Sequence, residues 1–377
     1  MRWVVFVVLV VHGLVTLLGA AKAFEVVDLP QLTEPIAPAM GVVWLVAGFL
    51  ILVAAVLMVV GTRWWWAVGA LALVVSQVAI ASDWVDAKAG TAANVVLLVA
   101  VVYGFLSEGP TSYHEAYRRQ RDAELAAPAG SAGTVTEAEL AHLPGPVATY
   151  VRATGAVGRP RVDGFRARIH GRIRSGPDAA WMPFTGEQVN RFGPEPSRVL
   201  FMAASMFGVP IDVLHTFTGS AARMRVKAWS LVPMVDAQGE EMTRAETVTQ
   251  LNDLCVMAPA ALVDPRLQWE AIDERSARVT FTRGSVTVAA VLGFDDDGRL
   301  VDFVSDDRLR ASSDGSTFTP QRWSTPLRDY RSFDGRSLST AGEGRWHAPD
   351  PEGEFAYLEF DIDEITYVEA DAATATR

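Results

Sequence analysis

The chain has 377 residues, with 33 basic and 44 acidic side chains and a formal net charge of −11. This length predicts two or three structural units, and the acidic balance disfavours a protein that binds nucleic-acid phosphates. The only cysteine, Cys255, excludes an intrachain disulfide and a thiolate-rich metal site.

Charged side chains are distributed unevenly along the sequence. Residues 1–107 carry nine of them, whereas the other 270 residues carry 68. This contrast predicts a membrane unit over 1–107, a basic juxtamembrane segment and flexible linker over 108–140, and a soluble β-rich domain over 141–377. The stretch "AAPAGSAGT" at 126–134 is typical of a flexible tether.

Four apolar runs fill the first unit, and each approaches the roughly 20 residues that an α-helix needs to cross a bilayer. The runs are Trp3–Ala21, Met40–Val60, Trp64–Ala81 and Ala89–Leu106. They predict an α-helical bundle of four membrane spans. Residues 1–23 also fit a cleaved signal peptide, and this alternative leaves the topology of the remaining chain unchanged.

The basic residues near the span ends predict an orientation. If the N-terminus is inside, the cytoplasmic set is Arg2, Arg63, Arg118, Arg119 and Arg121, and the external set is Lys22 and Lys88. Because basic residues favour the cytoplasmic side, we expect a multi-pass bacterial inner-membrane protein. Its N-terminus and its soluble domain are then cytoplasmic, and the arginines at 118–121 contact anionic lipid.

Polar side chains occur within the predicted spans at His12, Ser76, Gln77 and Asn94. Such groups inside a membrane are candidates for a functional site. The alternative is that they form hydrogen bonds between helices and hold the bundle together.

The soluble domain shows a period of two. In "FRARIHGRIR" at 165–174, Arg166, Arg168, Arg172 and Arg174 share one strand face. The terminal "YLEFDIDE" at 357–364 carries an acidic stripe of Glu359, Asp361 and Asp363. We expect these two strands to share an antiparallel sheet with their charges paired, and anionic lipid is the alternative partner of the arginines.

One helix interrupts the strands, in "TRAETVTQLNDLCVMAP" at 243–259. Thr243 and Glu246 match a capping box, and Pro259 ends the helix. Its apolar positions predict that it packs on the concave side of the sheet and that Cys255 is a buried, inert thiol. The expected fold is therefore α+β, with a curved antiparallel sheet packed on one or two helices.

Catalytic motifs are missing from the sequence: there is no glycine-rich phosphate loop, nucleophile elbow or HExxH. The acidic "FDDDG" at 294–298 is a hairpin turn rather than a calcium loop. No metal or cofactor is expected. The candidate ligand-binding residues are Arg166, Arg168, Arg172, Asn252, Asp253, Asp306, Asp307 and Arg308. Structural alternatives are helix–strand hydrogen bonds for the Asn-Asp pair and a turn with a local ion pair for 306–308.

Several motifs along the chain resemble those of a family of uncharacterised bacterial membrane proteins. They are "HGL" at 12–14, "LPQLTEPI" at 29–36, "DAKAGTAAN" at 86–94, "LNDLCVMAPAAL" at 251–262, "SDDR" at 305–308, "WSTP" at 323–326 and "GEFAYLEF" at 353–360. The resemblance implies no activity. The soluble part also resembles the lipoprotein-carrier fold, a curved antiparallel sheet around helices whose concave face holds acyl chains.

These patterns favour a membrane-tethered domain that binds a lipid or another apolar molecule at the inner membrane face. The bilayer is then its main partner. One alternative is an enzyme that acts on a membrane-associated substrate through carboxylates such as Asp253 or Asp306. Another is a sensor or scaffold in which the spans respond and the soluble domain recruits a protein.

Overall fold

The structure, a computed structural model, describes residues 2–30, 32–128, 130 and 133–369. The chain divides into two compact units, Met1–Ala116 and Tyr117–Arg377. The helices of the N-terminal part are α1 (Arg2–Ala23), α2 (Pro38–Val60), α3 (Trp65–Ser82), α4 (Trp84–Ala87), α5 (Gly90–Glu108) and α6 (Tyr113–Ala126). Four helical segments are long and apolar enough to cross a membrane: α1, α2, α3 and the segment that begins at Gly90.

Small residues allow the first two helices to pack closely. A Cβ atom on Gly13 of α1 would lie 2.8 Å from Leu52 Cγ, and one on Gly48 of α2 would lie 2.7 Å from Leu17 Cδ2. Any larger residue at these positions would push the helices apart. Interfaces of this kind are typical of helices that associate within a membrane, where small side chains let the backbones approach.

The second unit consists mainly of β-strands. Its helices are a 3-10 helix (Glu137–His142), α7 (Gly145–Ala153), α8 (Glu240–Met257) and a second 3-10 helix (Pro259–Val263). The strands are β1 (Val162–Ile173), β2 (Met182–Arg191), β3 (Ser197–Met206), β4 (Val209–Thr218), β5 (Ala221–Ala228), β6 (Val232–Gln238), β7 (Gln268–Asp273), β8 (Ser276–Arg283), β9 (Val286–Phe294), β10 (Leu300–Ser305), β11 (Leu309–Ala311), β12 (Phe318–Pro320), β13 (Trp323–Ser324), β14 (Leu327–Phe333), β15 (Arg336–His347) and β16 (Glu354–Glu369).

Fourteen strands form one antiparallel sheet in the order β6-β5-β4-β3-β2-β1-β16-β15-β13-β10-β9-β8-β7, with β14 paired to β15. Strands β11 and β12 form a separate two-stranded sheet. The first six strands are a meander in which each strand pairs with the next one along the chain. The last strand, β16, lies beside β1 and joins this meander to the strands that follow α8.

The large sheet curves around α8. This helix contacts β5 and β6 near one end of the strand order and β9 and β10 near the other end. A single helix reaches both ends only if the sheet bends around it. Within the described residues the edge strands β6 and β7 do not pair with each other, so the sheet is open and is not a closed barrel.

The main core lies where α8 and the second 3-10 helix pack against strands β8–β10, β15 and β16. Val248, Leu251 and Cys255 of α8 are fully buried there. Burial raises the pKa of the Cys255 thiol well above its usual range, as expected for an inert cysteine. From α7, the Tyr150 hydroxyl donates a hydrogen bond to the Cys255 carbonyl at 3.0 Å, which joins the two helices.

The predicted capping box at the start of α8 is wrong. The helix begins three residues earlier, at Glu240, and Gly239 occupies the N-cap position. Thr243 therefore lies inside the first turn, where its hydroxyl donates to the Gly239 carbonyl at 2.8 Å. Glu246 turns inward to Arg198 instead, because a buried guanidinium requires a carboxylate more than an exposed helix end does.

Two further expectations about local structure differ from the structure. The strand predicted at 222–231 ends at Ala228, and a turn at Trp229 leads into β6, which the sequence analysis missed. Helix α6 occupies much of the segment expected to be a juxtamembrane linker. From Tyr117 onwards α6 packs on the sheet, and the Tyr117 hydroxyl donates to Glu187 Oε1 at 3.0 Å.

Candidate functional site

A cavity of about 390 Å³ lies between the concave face of the sheet and α8. We call it the sheet–helix cavity. Its apolar lining residues are Ile169, Ile173, Met182, Phe184, Leu200, Met202, Met224, Met242, Val256, Met257, Leu309, Phe318, Trp323, Trp346, Leu358 and Phe360. The volume is in the range of pockets that hold small-molecule ligands, roughly 300–1,000 Å³.

Strand alternation explains why this wall is apolar. In β3, Leu200 and Met202 point into the cavity, and their register partners in β4 are His215 and Val213. Five of the chain's ten methionines line the cavity. Methionine side chains are flexible and polarisable, so this wall can adapt to the shape of a flexible apolar ligand.

One end of the cavity is polar and is centred on Arg198 of β3. Its Nε donates to Asp253 Oδ2 at 2.7 Å, and its Nη1 donates to Glu246 Oε2 at 3.0 Å. The same Asp253 oxygen accepts from Asn190 at 3.0 Å and from Gln188 at 3.3 Å. All five side chains are buried. We call Arg198, Glu246 and Asp253 the buried ion cluster.

Two more cationic or titratable groups approach Glu246. His215 Nδ1 lies 3.5 Å from Glu246 Oε2, and Arg308 Nη2 lies 3.5 Å from Oε1. Burial alone would raise the pKa of Glu246, but the charges of His215, Arg198 and Arg308 outweigh burial and hold that pKa well below its usual range. Glu246 is therefore a carboxylate at neutral pH, and it stabilises the positive charges around it.

The Arg198 guanidinium is held in its charged form by the same contacts. Burial disfavours the charge, but Asp253 and Glu246 outweigh this effect and raise the pKa of Arg198. A buried ion pair of this kind adds little stability compared with apolar residues, yet the removal of one partner leaves an uncompensated charge. The cluster therefore specifies how α8 is positioned against β3.

Three of the residues that the sequence analysis selected line the cavity: Asn252, Asp253 and Arg308. Asn252 donates to Thr325 Oγ1 at 3.1 Å, which bonds α8 to the segment after β13. The Arg308 guanidinium carbon lies 5.7 Å from the ring centre of Trp323 and 6.0 Å from that of Trp346. Cation–π contacts at these distances hold Arg308 at the cavity wall.

The two neighbouring aspartates do not line the cavity. Asp307 forms an ion pair with Arg244 and accepts the Ala289 backbone N–H at 2.7 Å. Asp306 is exposed and lies 3.6 Å from Arg322. This arrangement matches the structural alternative for residues 306–308, a turn with local ion pairs.

The three selected arginines of β1 lie on the sheet face opposite to the cavity, because Ile169 and Ile173 of the same strand face inward. Each one is paired with a carboxylate. Arg172 makes a bidentate contact with Glu359 at 2.7 Å, Arg168 lies 2.6 Å from Glu364, and Arg166 lies 2.8 Å from Glu187.

The expected pairing of the two charged strands is confirmed. Strand β1 pairs antiparallel with β16, with Arg172 opposite Glu359 and His170 opposite Asp361. His170 Nδ1 also lies 2.8 Å from Asp363. Glu364 and Glu187, which the sequence analysis did not name as partners, complete the pairing. A register shift between Arg168 and Ile169 explains why Arg168 meets Glu364.

The sequence analysis missed Arg198, His215 and the role of Glu246. One signal was available for Arg198: in "SRVLFMA" at 197–203, it shares a strand face with Leu200 and Met202. An arginine on an otherwise apolar face predicts a buried charge that needs a partner. The identity of that partner depends on the packing of α8, which sequence spacing does not give.

In the N-terminal unit, the intramembrane polar candidates contact one another. Asn94 Oδ1 lies 2.9 Å from His12 Nε2 and accepts from Ser76 at 3.1 Å. Asn94 Nδ2 donates to Gln77 Oε1 at 3.0 Å, and Gln77 donates to Thr91 at 3.3 Å. These bonds connect α1, α3 and α5, as the alternative of interhelical hydrogen bonding describes. In the part of the chain that the structure describes, no group of three or more His, Cys, Asp and Glu could hold a metal ion.

The fold and the cavity define a protein with four apolar helical segments and an open, curved sheet that encloses an apolar cavity with a buried ion cluster. A model of the family of unknown function DUF6544 matches residues 133–360. This is more than half of the chain, so the chain belongs to that family. No curated protein matches the chain.

Three solved structures share a distant likeness with the chain. A putative outer membrane lipoprotein-sorting protein domain from Vibrio parahaemolyticus is 8% identical with a TM-score of 0.32, over 54% of this chain and 85% of that chain. A DUF1329 family protein from Desulfovibrio piger is 14% identical with a TM-score of 0.35, over 59% and 91%. A beta-barrel-like DUF1849 protein from Brucella abortus is 8% identical with a TM-score of 0.22, over 56% and 100%. Likenesses at these scores carry no conclusion about function.

Replacement of Arg198 with Met should destabilise the second unit by about 3–5 kcal/mol, because it leaves Glu246 and Asp253 buried without their cation. Denaturant unfolding of the detergent-solubilised protein, followed by the β-sheet signal in circular dichroism, measures this change. The matched control is Arg168→Met, which breaks the exposed pair with Glu364 and should change the midpoint little. Equal effects of the two substitutions would contradict the role of the buried ion cluster.

The stability of the second unit should also depend on pH through Glu246. Because the pKa of Glu246 in the folded state lies below its ordinary value of 4.5, the carboxylate stabilises the fold fully above pH 4.5 and loses this contribution as the pH falls below 4.5. In that acidic range, the wild type should lose stability more steeply than Glu246→Gln, by up to about 1.4 kcal/mol per pH unit. Parallel unfolding profiles for the two proteins would show that Glu246 is not the titrating group.

Proposed function

We propose that the sheet–helix cavity binds a lipid or another molecule with a flexible apolar chain, at the surface of the membrane that holds the apolar helices. The observation that supports this proposal most directly is the cavity itself. It has room for a small molecule, and its walls are dominated by leucine, isoleucine, phenylalanine and methionine. Removal of an apolar chain from water into such a cavity is favourable at about 0.8 kcal/mol per buried CH₂.

The polar end of the cavity favours an amphipathic ligand. Arg308 lies at this end between Trp323 and Trp346, and its Nε is buried without a hydrogen-bond acceptor among the described residues. A ligand oxygen placed there would satisfy that donor. The ligand then lies with its polar group near Arg308 and its chain along Leu200 and Met202.

The arrangement of the carboxylates favours binding over catalysis. Asp253 accepts hydrogen bonds from Arg198, Asn190 and Gln188, and Glu246 is committed to the surrounding cations. Asp306 is exposed and outside the cavity lining. A general acid or base needs a pKa near the working pH, whereas the pKa of Glu246 is held far below neutrality.

The proposal includes a location. The four apolar segments form a multi-pass anchor in the inner membrane of a bacterium, and the second unit lies on the cytoplasmic side. The support is the distribution of basic residues, with Arg2, Arg63 and the arginines at 118–121 on one side of the spans and Lys22 and Lys88 on the other.

Replacement of Leu200 with Trp should fill part of the cavity and reduce the amount of lipid that co-purifies with the protein several-fold. Native mass spectrometry of the full chain, released from detergent, measures bound lipid. Thr218→Trp is the control, since this residue is exposed and its position in β4 alternates with that of the cavity-lining His215. The proposal is wrong if the wild type carries no lipid and takes up none from added fatty acid or phospholipid.

Reporter fusions at residue 377 should place the C-terminus in the cytoplasm. A fluorescent protein fused there should fluoresce, and alkaline phosphatase fused there should be inactive in intact cells. The opposite pattern would place the second unit outside the cytoplasm. Arg63→Glu is expected to weaken the bias of the wild type, because it removes one of the cytoplasmic basic residues.

A further inference from the structure

Three hairpin turns lie together at one edge of the sheet. Because β1 to β6 form an antiparallel meander, the β1–β2, β3–β4 and β5–β6 turns share one edge, and the β2–β3 and β4–β5 turns share the other. The second and third of these turns are in direct contact, since the Trp229 backbone N–H donates to the Pro210 carbonyl at 2.9 Å.

This edge concentrates exposed apolar side chains. Of the seven large hydrophobic side chains exposed in the described part of the second unit, six are at or beside the β3–β4 and β5–β6 turns. They are Met206, Phe207, Trp229, Leu231, Val232 and Met234. We call this set the apolar edge. Phe207 is 88% exposed and Leu231 is 58% exposed, so packing within the fold does not account for their presence.

Backbone conformation makes the choice of residues at these turns more informative. Phe207 has φ of 51° and is followed by Gly208 at 85°, and Trp229 and Ser230 both have φ of 55°. Two-residue hairpin turns with two positive φ angles strongly favour Asn-Gly or similar pairs. A bulky aromatic residue in this conformation is strained, and strain without a packing gain points to a functional constraint.

We propose that the apolar edge inserts into the interface of a lipid bilayer. Connectivity supports a bilayer as the partner, because Glu108, at the end of α5, is only nine positions before Tyr117, which is packed on the sheet. The second unit is thus closely tethered to a segment apolar enough to cross a membrane. Aromatic and aliphatic side chains on narrow turns suit a fluid surface into which each tip inserts.

The β1–β2 hairpin adds interfacial chemistry at the same edge. The guanidinium carbons of Arg172 and Arg174 lie 4.6 and 4.4 Å from the ring centre of Trp181. Arginine beside tryptophan suits the boundary between headgroups and acyl chains. Ser175 and Met182 of this hairpin also line the sheet–helix cavity. If the proposed lipid binding holds, the apolar edge is the route by which a chain passes between the bilayer and the cavity.

The test uses the full chain reconstituted in phosphatidylcholine–phosphatidylglycerol vesicles that contain spin-labelled lipid. A fluorescent label is attached to Leu231→Cys in a Cys255→Ala background, and the matched control carries the label at Ser220→Cys, on the opposite edge. Lipid-borne spin labels should quench the fluorescence at position 231 several-fold more strongly than at position 220. Phe207→Asn should reduce the quenching at 231 and leave the β-sheet signal intact, because Asn-Gly suits this turn.

Equal quenching at positions 231 and 220 would overturn the proposal. So would a blue-shifted label at 231 that lipid does not quench, because this result would indicate that a protein surface, such as a second copy of the chain, covers the apolar edge. The readout does not depend on the cavity. Leu200→Trp should leave the quenching unchanged even if it abolishes lipid binding, so failure of the proposed function and failure of this inference are distinguishable.

Discussion

The position of α8 inside the curved sheet depends on the buried pairing of Arg198 with Glu246 and Asp253. The three side chains are almost completely shielded from water, and the guanidinium contacts both carboxylates at 2.7–3.0 Å. Because charges in such an environment are tolerated only when they are paired, α8 is held in one register against β3. A slide of the helix along its axis would separate at least one of the two pairs.

The cavity follows from this constraint. The helix is fixed by polar contacts on one side and by its apolar residues Val248 and Leu251 on the other, so it does not collapse onto the whole concave face. The part of that face formed by β1 to β5 remains uncovered and apolar. The same meander that lines the cavity also brings three turns to one edge, which joins the internal apolar surface to an external one.

The N-terminal unit applies the same rule in a different solvent. His12, Ser76 and Asn94 are buried and bonded to one another, whereas the outer surfaces of α1, α2, α3 and α5 expose many large apolar side chains. Exposed apolar surface on this scale is unfavourable in water and suits lipid. Hydrogen bonds between the helices then contribute to the bundle, where no hydrophobic effect drives the helices together.

Local patterns in the sequence determined the element types well. Apolar runs of about 20 residues predicted the four long helices, the alternation of 165–174 predicted β1, and complementary charge predicted its pairing with β16. Tertiary structure alone decided the features that depend on distant residues. Glu246 fits a capping box by spacing, yet it bonds to Arg198, 48 positions away. Sequence spacing reports neighbours within one helix or strand, whereas a buried charge selects its partner from whichever elements the curved sheet brings together.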